Sequence, residues 1–596
     1  MISSTIRRIN GRTLNADGLE VGLVLKPTYR SMRVSNTGGV EFSTLTDAKN
    51  YATSGDLITV LPGVYNENNL LKDGVNWHFM PGARVEYTLP QCALGVIDPT
   101  GSANSITFVA KVAGAVNNGL LIQYIDDGSQ VGNTAVASWS LATNTLTVKV
   151  KSGTSTAFVV SNAVNGLSGT PVTCGATGSA GGNLLGTVTA PLSVALAGGS
   201  GVVTSTSDYG IFDDRDGAVN CTIGGNGVFK CIDGLKNSDL VATVNTNAKG
   251  TIYVKQAGTN IIIHGNEVMS DAWLVGVTQI IRVENCGYAD IVFSKITDLN
   301  NGLQATDTAN GVGADNTLNG AGIGCFWTNG ETYLTFDRCV GGAYGIWAGQ
   351  NVDGAANTNL WVTGNQVKSA TASIYWSEGP SVNWRTWVHV KEAISGTGNL
   401  NFISGGKHYM VIDKISSTGI GTSVIISNYL TNVITVWLNA QKISYGASIA
   451  GYAISFASTK VVFHGEVLQF EDTGGISGSA AINVQASDVT TEVHLTGGYA
   501  KVLNGKGINM TTACNMEVNG MKIDTTNTNS ASNNPISVAA AGLKIRNCVL
   551  LAPATADSVT AGSAQTITNY GSVANKAKNA NVTVNVSALI VDVNVV

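Results

Sequence analysis

Short apolar segments of strand-like composition recur along this chain at a near-regular spacing. From residue 335 onward their centres lie at 335, 361, 388, 411, 435, 462, 493, 516 and 544, in steps of 26, 27, 23, 24, 27, 31, 23 and 28 residues. Such a period fits one coil of three short strands, and each coil can bury its apolar side chains only against neighbouring coils. The spacing therefore predicts a mainly β chain, a parallel β-helix of about a dozen coils that is roughly 55–60 Å long at ~4.8 Å per coil.

Composition agrees with a large β-rich core and argues against several classes of protein. The chain is 44% hydrophobic and 12% charged and contains 71 glycines, which disfavours disorder and favours a repetitive β fold. A net charge of −5 argues against a nucleic-acid partner. No apolar run is long enough for membrane insertion or placed as a secretory signal, so we expect a chain that is assembled in a cytoplasm. Nine cysteines without a CxxC pair indicate buried thiols rather than a zinc site.

Changes in pattern divide the chain into segments. Residues 1–39 carry six basic residues against two acids, and form either a solvated basic arm or a segment that docks on an acidic partner. A helix over 43–52, with Ser43 as its N-cap, is expected to cover the open end of the stack. The predicted segments are an N-terminal anchoring segment (1–39), the β-helix entry with its capping helix (40–98), an inserted α+β domain (99–206), the main β-helix (207–550) and a C-terminal β segment (551–596).

Two stretches resemble known families. The run TLTDAKNYATSGDLITVLPGVYNE at 44–67 resembles the opening of pectate-lyase-like proteins, which are right-handed parallel β-helices. That family includes polysaccharide lyases, glycoside hydrolases and many phage tailspikes, so the resemblance implies a fold more strongly than a function. The inserted segment, with a strand, Ala-Gly-x-x-x-Asn, a second strand and Asp-x-Gly, is similar to a module of phage virion proteins, including tail sheath components. This second resemblance implies a virion protein that is assembled in the host cytoplasm, with residues 1–39 as its virion anchor.

The C-terminal segment changes character again. Residues 582–586 alternate strictly between apolar and polar side chains, which predicts a half-buried strand in a segment too small to form its own core. Phage fibres and spikes are commonly trimers with a C-terminal clasp, so the resemblance implies a homotrimer. The alternative is a cap folded on the last coil.

Carboxylates are the first candidate catalytic groups, because glycosidases place two of them ~5–9.5 Å apart. Asp213, Asp214 and Asp216 lie within four residues of one another, and Glu378 lies among the tryptophans of the middle coils. A turn or cation-binding loop is the favoured reading of the three aspartates. The Gly-His-Gly element and the paired arginines of the enzymes are missing, so the family's catalytic residues cannot be transferred. The six histidines fit satisfied strand positions better than ligands, and we expect neither a metal nor a cofactor.

Tryptophans are concentrated in the middle coils. Six of the ten fall between 327 and 387, several about one coil apart, as Trp361 and Trp387 are. Stacked coils would bring such residues into an aromatic ladder, and rings that face outward could contact sugar rings. Core or intersubunit packing is the alternative. The predicted carbohydrate-binding residues are Trp347, Trp361, Trp376, Trp384 and Arg385.

Three functions remain open on the sequence. The first is a trimeric phage fibre or spike that attaches to other virion proteins through residues 1–39 and binds host surface polysaccharide. The second is a tailspike depolymerase, either a polysaccharide lyase or a glycoside hydrolase. The third is a purely structural decoration of the capsid or tail. Two carboxylates in a groove would favour the enzyme, and buried tryptophans would favour the structural protein.

Overall fold

A computed structural model gives the architecture of most of the chain. It describes residues 7–9, 12–14, 30–88, 90, 92–112, 114–176, 184–200, 209–232, 250–270, 279–284, 286–298, 321–326, 330–341, 344–348, 359–369, 371–376, 385–396, 398, 400–402, 406–418, 422–427, 433–446, 451–457, 460–485 and 490–591. Two parallel sheets, of 25 and 13 strands, dominate. They form a right-handed parallel β-helix, so the fold predicted from the spacing and the resemblance is confirmed.

The larger sheet, called the long sheet here, runs from the first coil to the last. Its strands are Ser31–Val34, Leu57–Val60, Gly63–Tyr65, Asn76–Phe79, Ala83–Thr88, Asn220–Gly225, Val228–Ile232, Asn260–Ser270, Tyr288–Asp298, Glu331–Val340, Asn359–Ser369, Arg385–Ser395, Gly406–Ser417, Ile434–Tyr445, Val461–Asp472, Glu492–Thr496, Tyr499–Lys501, Asn515–Asn519, Lys522–Asp524, Leu543–Arg546, Val549–Leu551, Gln565–Tyr570, Val573–Ala574, Val582–Val586 and Ile590–Val591. In the longer strands the pairing passes a one-residue corner, for example between Phe336 and Arg338, so one strand supplies two faces of a coil.

The smaller sheet, called the short sheet, supplies the third face. Its strands are Phe212–Asp213, Ile252–Val254, Gln279–Glu284, Ala321–Phe326, Tyr344–Ala348, Ala372–Trp376, Leu400–Phe402, Val424–Ile426, Tyr452–Phe456, Ser479–Val484, Gly505–Met510, Ile536–Val538 and Val559–Thr560. One register position is aliphatic from coil to coil, as in Ile374, Leu400, Val424 and Ile454, and these side chains are buried. Apolar groups stacked in this way supply the hydrophobic stabilisation that no single coil could.

The N-terminal end of the stack is closed by a short helix, α1 (Leu45–Tyr51). Its N-cap is Thr44, whose hydroxyl accepts a hydrogen bond from the Asp47 amide, rather than the predicted Ser43. Ser43 lies one residue too early, because the free amides that a cap must satisfy begin after Thr44. Leu45 and Ala48 are buried against the first coil. The helix therefore covers apolar surface that the first coil would otherwise expose.

The segment between the early coils forms a unit with its own hydrophobic core. Its strands are Leu94–Ile97, Ile106–Ala110, Leu121–Ile125, Ala135–Ser140, Thr145–Val150, Val172–Ala176 and Leu192–Ala195, with a 3-10 turn at Ala115–Asn117 and a helix, α2 (Ala157–Asn165). They make one four-stranded and one three-stranded sheet, and the buried cluster extends from Cys92 to Leu196. The unit thus begins several residues before the expected boundary at 99.

The insert leaves the register of the stack intact. Ile223 pairs with Trp77, and Phe229 pairs with Val85, so the coil after the insert lies directly on the coil before it. The chain therefore leaves the β-helix and returns to the next coil position. Neither of the described helices is long and apolar enough to span a membrane.

The C-terminal segment continues the stack within the described residues. Gln565–Tyr570 and Val573–Ala574 pair in parallel with Leu543–Arg546 and Val549–Leu551 of the preceding coil, and the last two strands pair with them in turn. Val586, Ile590 and Val591 are exposed at this end. The N-terminal segment is also divided: Arg7–Ile9 and Arg12–Leu14 form an antiparallel pair, while Ser31–Val34 already belongs to the long sheet.

Candidate functional site: a groove beside an external aromatic ladder

One outward-facing position of the long sheet carries an aromatic or imidazole ring in seven successive coils. Side chains alternate between the two faces of a strand, so residues in register on neighbouring strands form a column on one face. The column, called the aromatic ladder, consists of Tyr333, Trp361, Trp387, Tyr409, Trp437, His464 and His494. Each of these side chains is half-buried, whereas the residues on either side of it in its strand point inward.

The rings of the ladder stack face to face. Successive ring centroids lie 4.5, 4.7, 5.7, 4.5, 5.6 and 5.1 Å apart, and no interplanar angle exceeds 13°. An interior ring such as Trp437 therefore has a neighbour on both faces and presents its edge outward. Sequence reasoning expected ring faces to be offered to sugars, and the stacking differs from that expectation because the coil spacing is close to the preferred ring separation. A ligand beside the ladder would meet ring edges.

A groove of ≈ 480 Å³ runs along one side of the ladder over four coils. One wall is formed by the last four rings, Tyr409, Trp437, His464 and His494. The other wall is formed by the side chains two residues later in the same strands, which are Val411, Asn439, Glu466 and Thr496, and Met410, Leu438 and Gly465 lie between the walls. The groove volume falls within the range of small-molecule sites. Each coil contributes one ring edge and one second side chain of different polarity.

Imidazole and carboxylate groups meet at the end of the groove nearer the C-terminus. Partial burial lowers the pKa of His464, and the neighbouring His494 ring lowers it further, although the charge of Glu492 opposes both effects. His464 therefore remains neutral at neutral pH. Glu466 accepts a hydrogen bond from the Asn439 side chain at 3.3 Å. This end of the groove offers hydrogen-bonding groups, whereas Val411 and Trp437 make the other end more apolar.

The predicted tryptophans lie in three different environments. Trp361 is a rung of the ladder, and Arg385 is an exposed residue at the start of the next strand. Trp376 is inside the stack, 1% exposed, with its ring parallel to Phe402 at 4.4 Å. Trp347 is buried on the short sheet. Because Trp347 and Trp376 are buried, their ring faces are not on the outer surface. Among the described residues only Trp361 and Arg385 of the predicted set lie on the outer face, and neither lines the groove. Trp384 and Glu378 lie outside the described residues.

The three candidate aspartates are engaged in the contacts of a turn. The Asp213 side chain is fully buried and pairs with Arg215 at 2.8 Å; burial raises the pKa of this carboxyl, and the guanidinium opposes the shift. Asp214 accepts hydrogen bonds from two backbone amides and, at 2.7 Å, from the Thr259 hydroxyl. Asp216 is exposed and accepts a hydrogen bond from the Tyr209 hydroxyl. The contacts of Asp213 and Asp216 are made within the turn, and those of Asp214 join the turn to the next coil where the chain re-enters the stack.

Side chains of the next coils of the short sheet continue from this turn, and the sequence of the turn does not indicate them. Tyr253 and Arg282 follow Asp213 at the same register position of the short sheet. The Tyr253 hydroxyl donates a hydrogen bond to Glu284 at 2.8 Å, and Arg282 pairs with the same carboxylate. The carboxylates of Asp213 and Glu284 are thus each paired with a guanidinium group. Among the described residues, no group of three His, Cys, Asp or Glu side chains is arranged to hold a metal ion.

Four groove-lining rings were missed by the sequence reasoning. Tyr409, Trp437, His464 and His494 lie outside the cluster at 327–387 that the composition emphasises. His464 and His494 were interpreted as ordinary strand histidines. Placing Trp437 in one column with Trp387 requires the register between the strands of successive coils, which the sequence does not give. The usable signal was an aromatic or imidazole residue within two positions of the centre of each strand core from 335 to 493.

Comparison with known proteins gives little further guidance. No protein-family model and no curated protein matches this chain. A solved structure described as the complex of XylC with xylose matches with 8% sequence identity and a TM-score of 0.22, over 91% of this chain and 75% of that chain. The sequence identity and the TM-score are both too low for the likeness to support a statement about this chain.

Proposed function

We propose that this chain is a fibre or spike protein of a phage particle that binds a host surface polysaccharide in the groove beside the aromatic ladder. The groove itself is the observation that carries the proposal. It is open to solvent, spans four coils and combines ring edges with amide, hydroxyl, carboxylate and imidazole groups. Carbohydrate sites commonly combine apolar rings with a few placed polar groups, and a groove along a rod accommodates a polymer rather than a compact ligand.

The placement on a virus particle rests on sequence resemblance. The insert is similar to a module of phage virion proteins, and the run at 44–67 resembles the opening of pectate-lyase-like proteins, a family that includes many phage tailspikes. In this proposal the basic N-terminal segment docks on another virion protein, and three copies of the chain associate. The exposed apolar side chains at the C-terminal end of the stack provide a surface for that association.

A polysaccharide depolymerase is the second candidate. One observation favours it: His464, Glu466 and His494 place ionisable groups within the groove, and such groups can serve as general acid or base. The groove contains a single carboxylate among its lining residues, whereas the glycoside hydrolases that use paired carboxylates need two. Binding without cleavage is therefore the expected behaviour.

One experiment separates the candidates. The purified full-length chain is incubated with a panel of bacterial capsular and O-antigen polysaccharides, and both binding and the appearance of new reducing ends or of unsaturated products are measured. The proposal predicts saturable binding to one or a few polysaccharides with no new chain ends. Cleavage would establish the depolymerase, and the failure of every polysaccharide to bind would favour a purely structural decoration protein.

A further inference from the structure

Two cations lie side by side on the flank of the aromatic ladder opposite the groove. Arg385 and Lys407 occupy the same register position on neighbouring strands, and both are exposed. They precede Trp387 and Tyr409 by two residues, so each lies on the same outer face as its ring. Like charges directly opposite one another across neighbouring strands repel and destabilise the pair of strands. The structure therefore contains a local concentration of positive charge beside the ladder.

Two other lysines of the long sheet have acidic partners. Lys414 pairs with Glu392 at 2.9 Å, and Lys442 pairs with Glu471 at 2.6 Å. Within the described ranges of the chain, no carboxylate forms an ion pair with Arg385 or Lys407. These two cations combine the lack of such a partner with a position directly beside the ladder. An anionic group from outside the chain would neutralise this pair and replace its repulsion with two attractive contacts.

The charge changes sign along the ladder. The rungs of Trp387 and Tyr409 have Arg385 and Lys407 beside them, whereas the rungs of His464 and His494 have Glu466 and Glu492 beside them. Along the axis of the stack Lys407 and Glu466 are two coils apart, about 10 Å at the usual strand spacing, and they lie on opposite flanks of the ladder. A uniformly anionic polymer would be repelled at one end of the groove. A polymer with anionic and uncharged units in alternation would be attracted at one end and tolerated at the other.

We infer that the polysaccharide is an acidic heteropolysaccharide, in which a carboxylate- or phosphate-bearing unit contacts Arg385 and Lys407 while uncharged units occupy the groove. This inference rests on the proposed function and specifies its ligand. The anionic group reaches over the edges of Trp387 and Tyr409, which separate the two cations from the groove. Arg385 can form a bidentate contact with the anion, and Lys407 supplies a second charge from the next coil.

The test uses the polysaccharide that binds in the panel above, together with chemically modified forms of it. Carboxyl groups are reduced to alcohols in one preparation, and phosphate esters are removed in another, so that the two sources of negative charge are distinguished. Binding is measured for the full-length chain and for Arg385→Gln, Lys407→Gln and the double variant. Lys414→Gln serves as the matched control, because it removes a lysine of the same strand that already has a carboxylate partner.

We expect each single substitution to weaken binding roughly tenfold, the usual effect of losing one charge-assisted hydrogen bond. The double variant should bind the native polysaccharide as weakly as the unmodified chain binds the neutralised one, and Lys414→Gln should bind normally. A polysaccharide that is neutral, or one whose neutralised form binds equally well, would overturn the inference and leave the proposed function intact. If no polysaccharide in the panel binds, the proposed function itself fails.

Discussion

The aromatic ladder allows stability and ligand binding to be separated by one pair of substitutions, Trp437→Ala and Trp361→Ala. Both rings are interior rungs of the same stack and both are half-buried. Trp437 lies 4.5 Å from Tyr409 and 5.6 Å from His464, and Trp361 lies at 4.5 and 4.7 Å from its two neighbours. Of the two, Trp437 lines the groove. The two variants thus remove equivalent stacking but only one removes a wall of the proposed site.

The expected loss of stability is similar for the two variants. Each removes two stacked contacts, and one aromatic contact contributes about 0.5–1.5 kcal/mol beyond the area that it buries, so the loss of stacking amounts to roughly 1–3 kcal/mol in both cases. Trp437→Ala additionally removes the ring edge at the centre of the groove. We expect this variant to weaken polysaccharide binding at least tenfold, which corresponds to a loss of only ~1.4 kcal/mol of binding free energy. Trp361→Ala should bind within about twofold of the unmodified chain, because Trp361 does not line the groove.

Urea denaturation followed by circular dichroism measures the first effect, and isothermal titration calorimetry with the bound polysaccharide measures the second. Long repeat arrays do not unfold in a two-state transition, so the denaturation midpoints of the two variants are compared directly. Equal loss of binding in both variants would mean that the ladder acts only through stability. Unchanged binding in Trp437→Ala, with a lowered midpoint, would refute the assignment of the groove as the ligand site.

Three further predictions concern the stack itself. Gly542→Ala should lower the urea midpoint far more than Gly520→Ala. Both glycines have a positive φ, which costs about 1–2 kcal/mol for alanine, but only at Gly542 would the new Cβ lie 1.9 Å from a neighbouring carbonyl oxygen. Equal effects of the two substitutions would contradict this packing. Because the pKa of His464 is lowered in the folded chain, this side chain takes up a proton at a higher pH in the unfolded chain. Stability should therefore fall as the pH drops below about 6.5, and His464→Gln should reduce that fall. Identical pH profiles of the urea midpoint for this variant and the unmodified chain would contradict the shift. If three copies associate through the C-terminal end, as proposed, the unmodified chain should have a trimer's mass in light scattering and Ile590→Asp should lower it toward that of a monomer; a trimer's mass in both would contradict this contact surface.

Parts of the architecture could be predicted from the sequence because they depend on local pattern. Alternation of apolar and polar residues over four to twelve positions indicates a strand, and recurrence of such strands at similar intervals indicates stacked coils. The expected helix near α1 was predicted to within two residues at each end, although its cap was displaced by one residue. The break in the repeat also indicated that a separate unit interrupts the early coils.

Charge clustering in the sequence was a weaker guide to the site. Three aspartates within four residues attract attention, but Asp213 and Asp214 are buried and accept several hydrogen bonds. Asp213 is held by Arg215 of the same turn, whereas the partner of Asp214, Thr259, is forty-five residues further along the chain. A buried carboxylate with several donors is a common structural element, and sequence proximity cannot distinguish it from a catalytic group.

The sequence by itself determined that the chain buries one aliphatic side of each coil against the next, because the inward residues are fixed by alternation within a strand. Only the tertiary structure decided which outward residues share a column. Trp387 and Tyr409 are 22 residues apart and His464 and His494 are 30 apart, yet both pairs are in register. The turns between strands absorb the difference in length at little energetic cost, so spacing along the chain does not fix alignment across coils. The groove and its paired cations are consequences of that alignment.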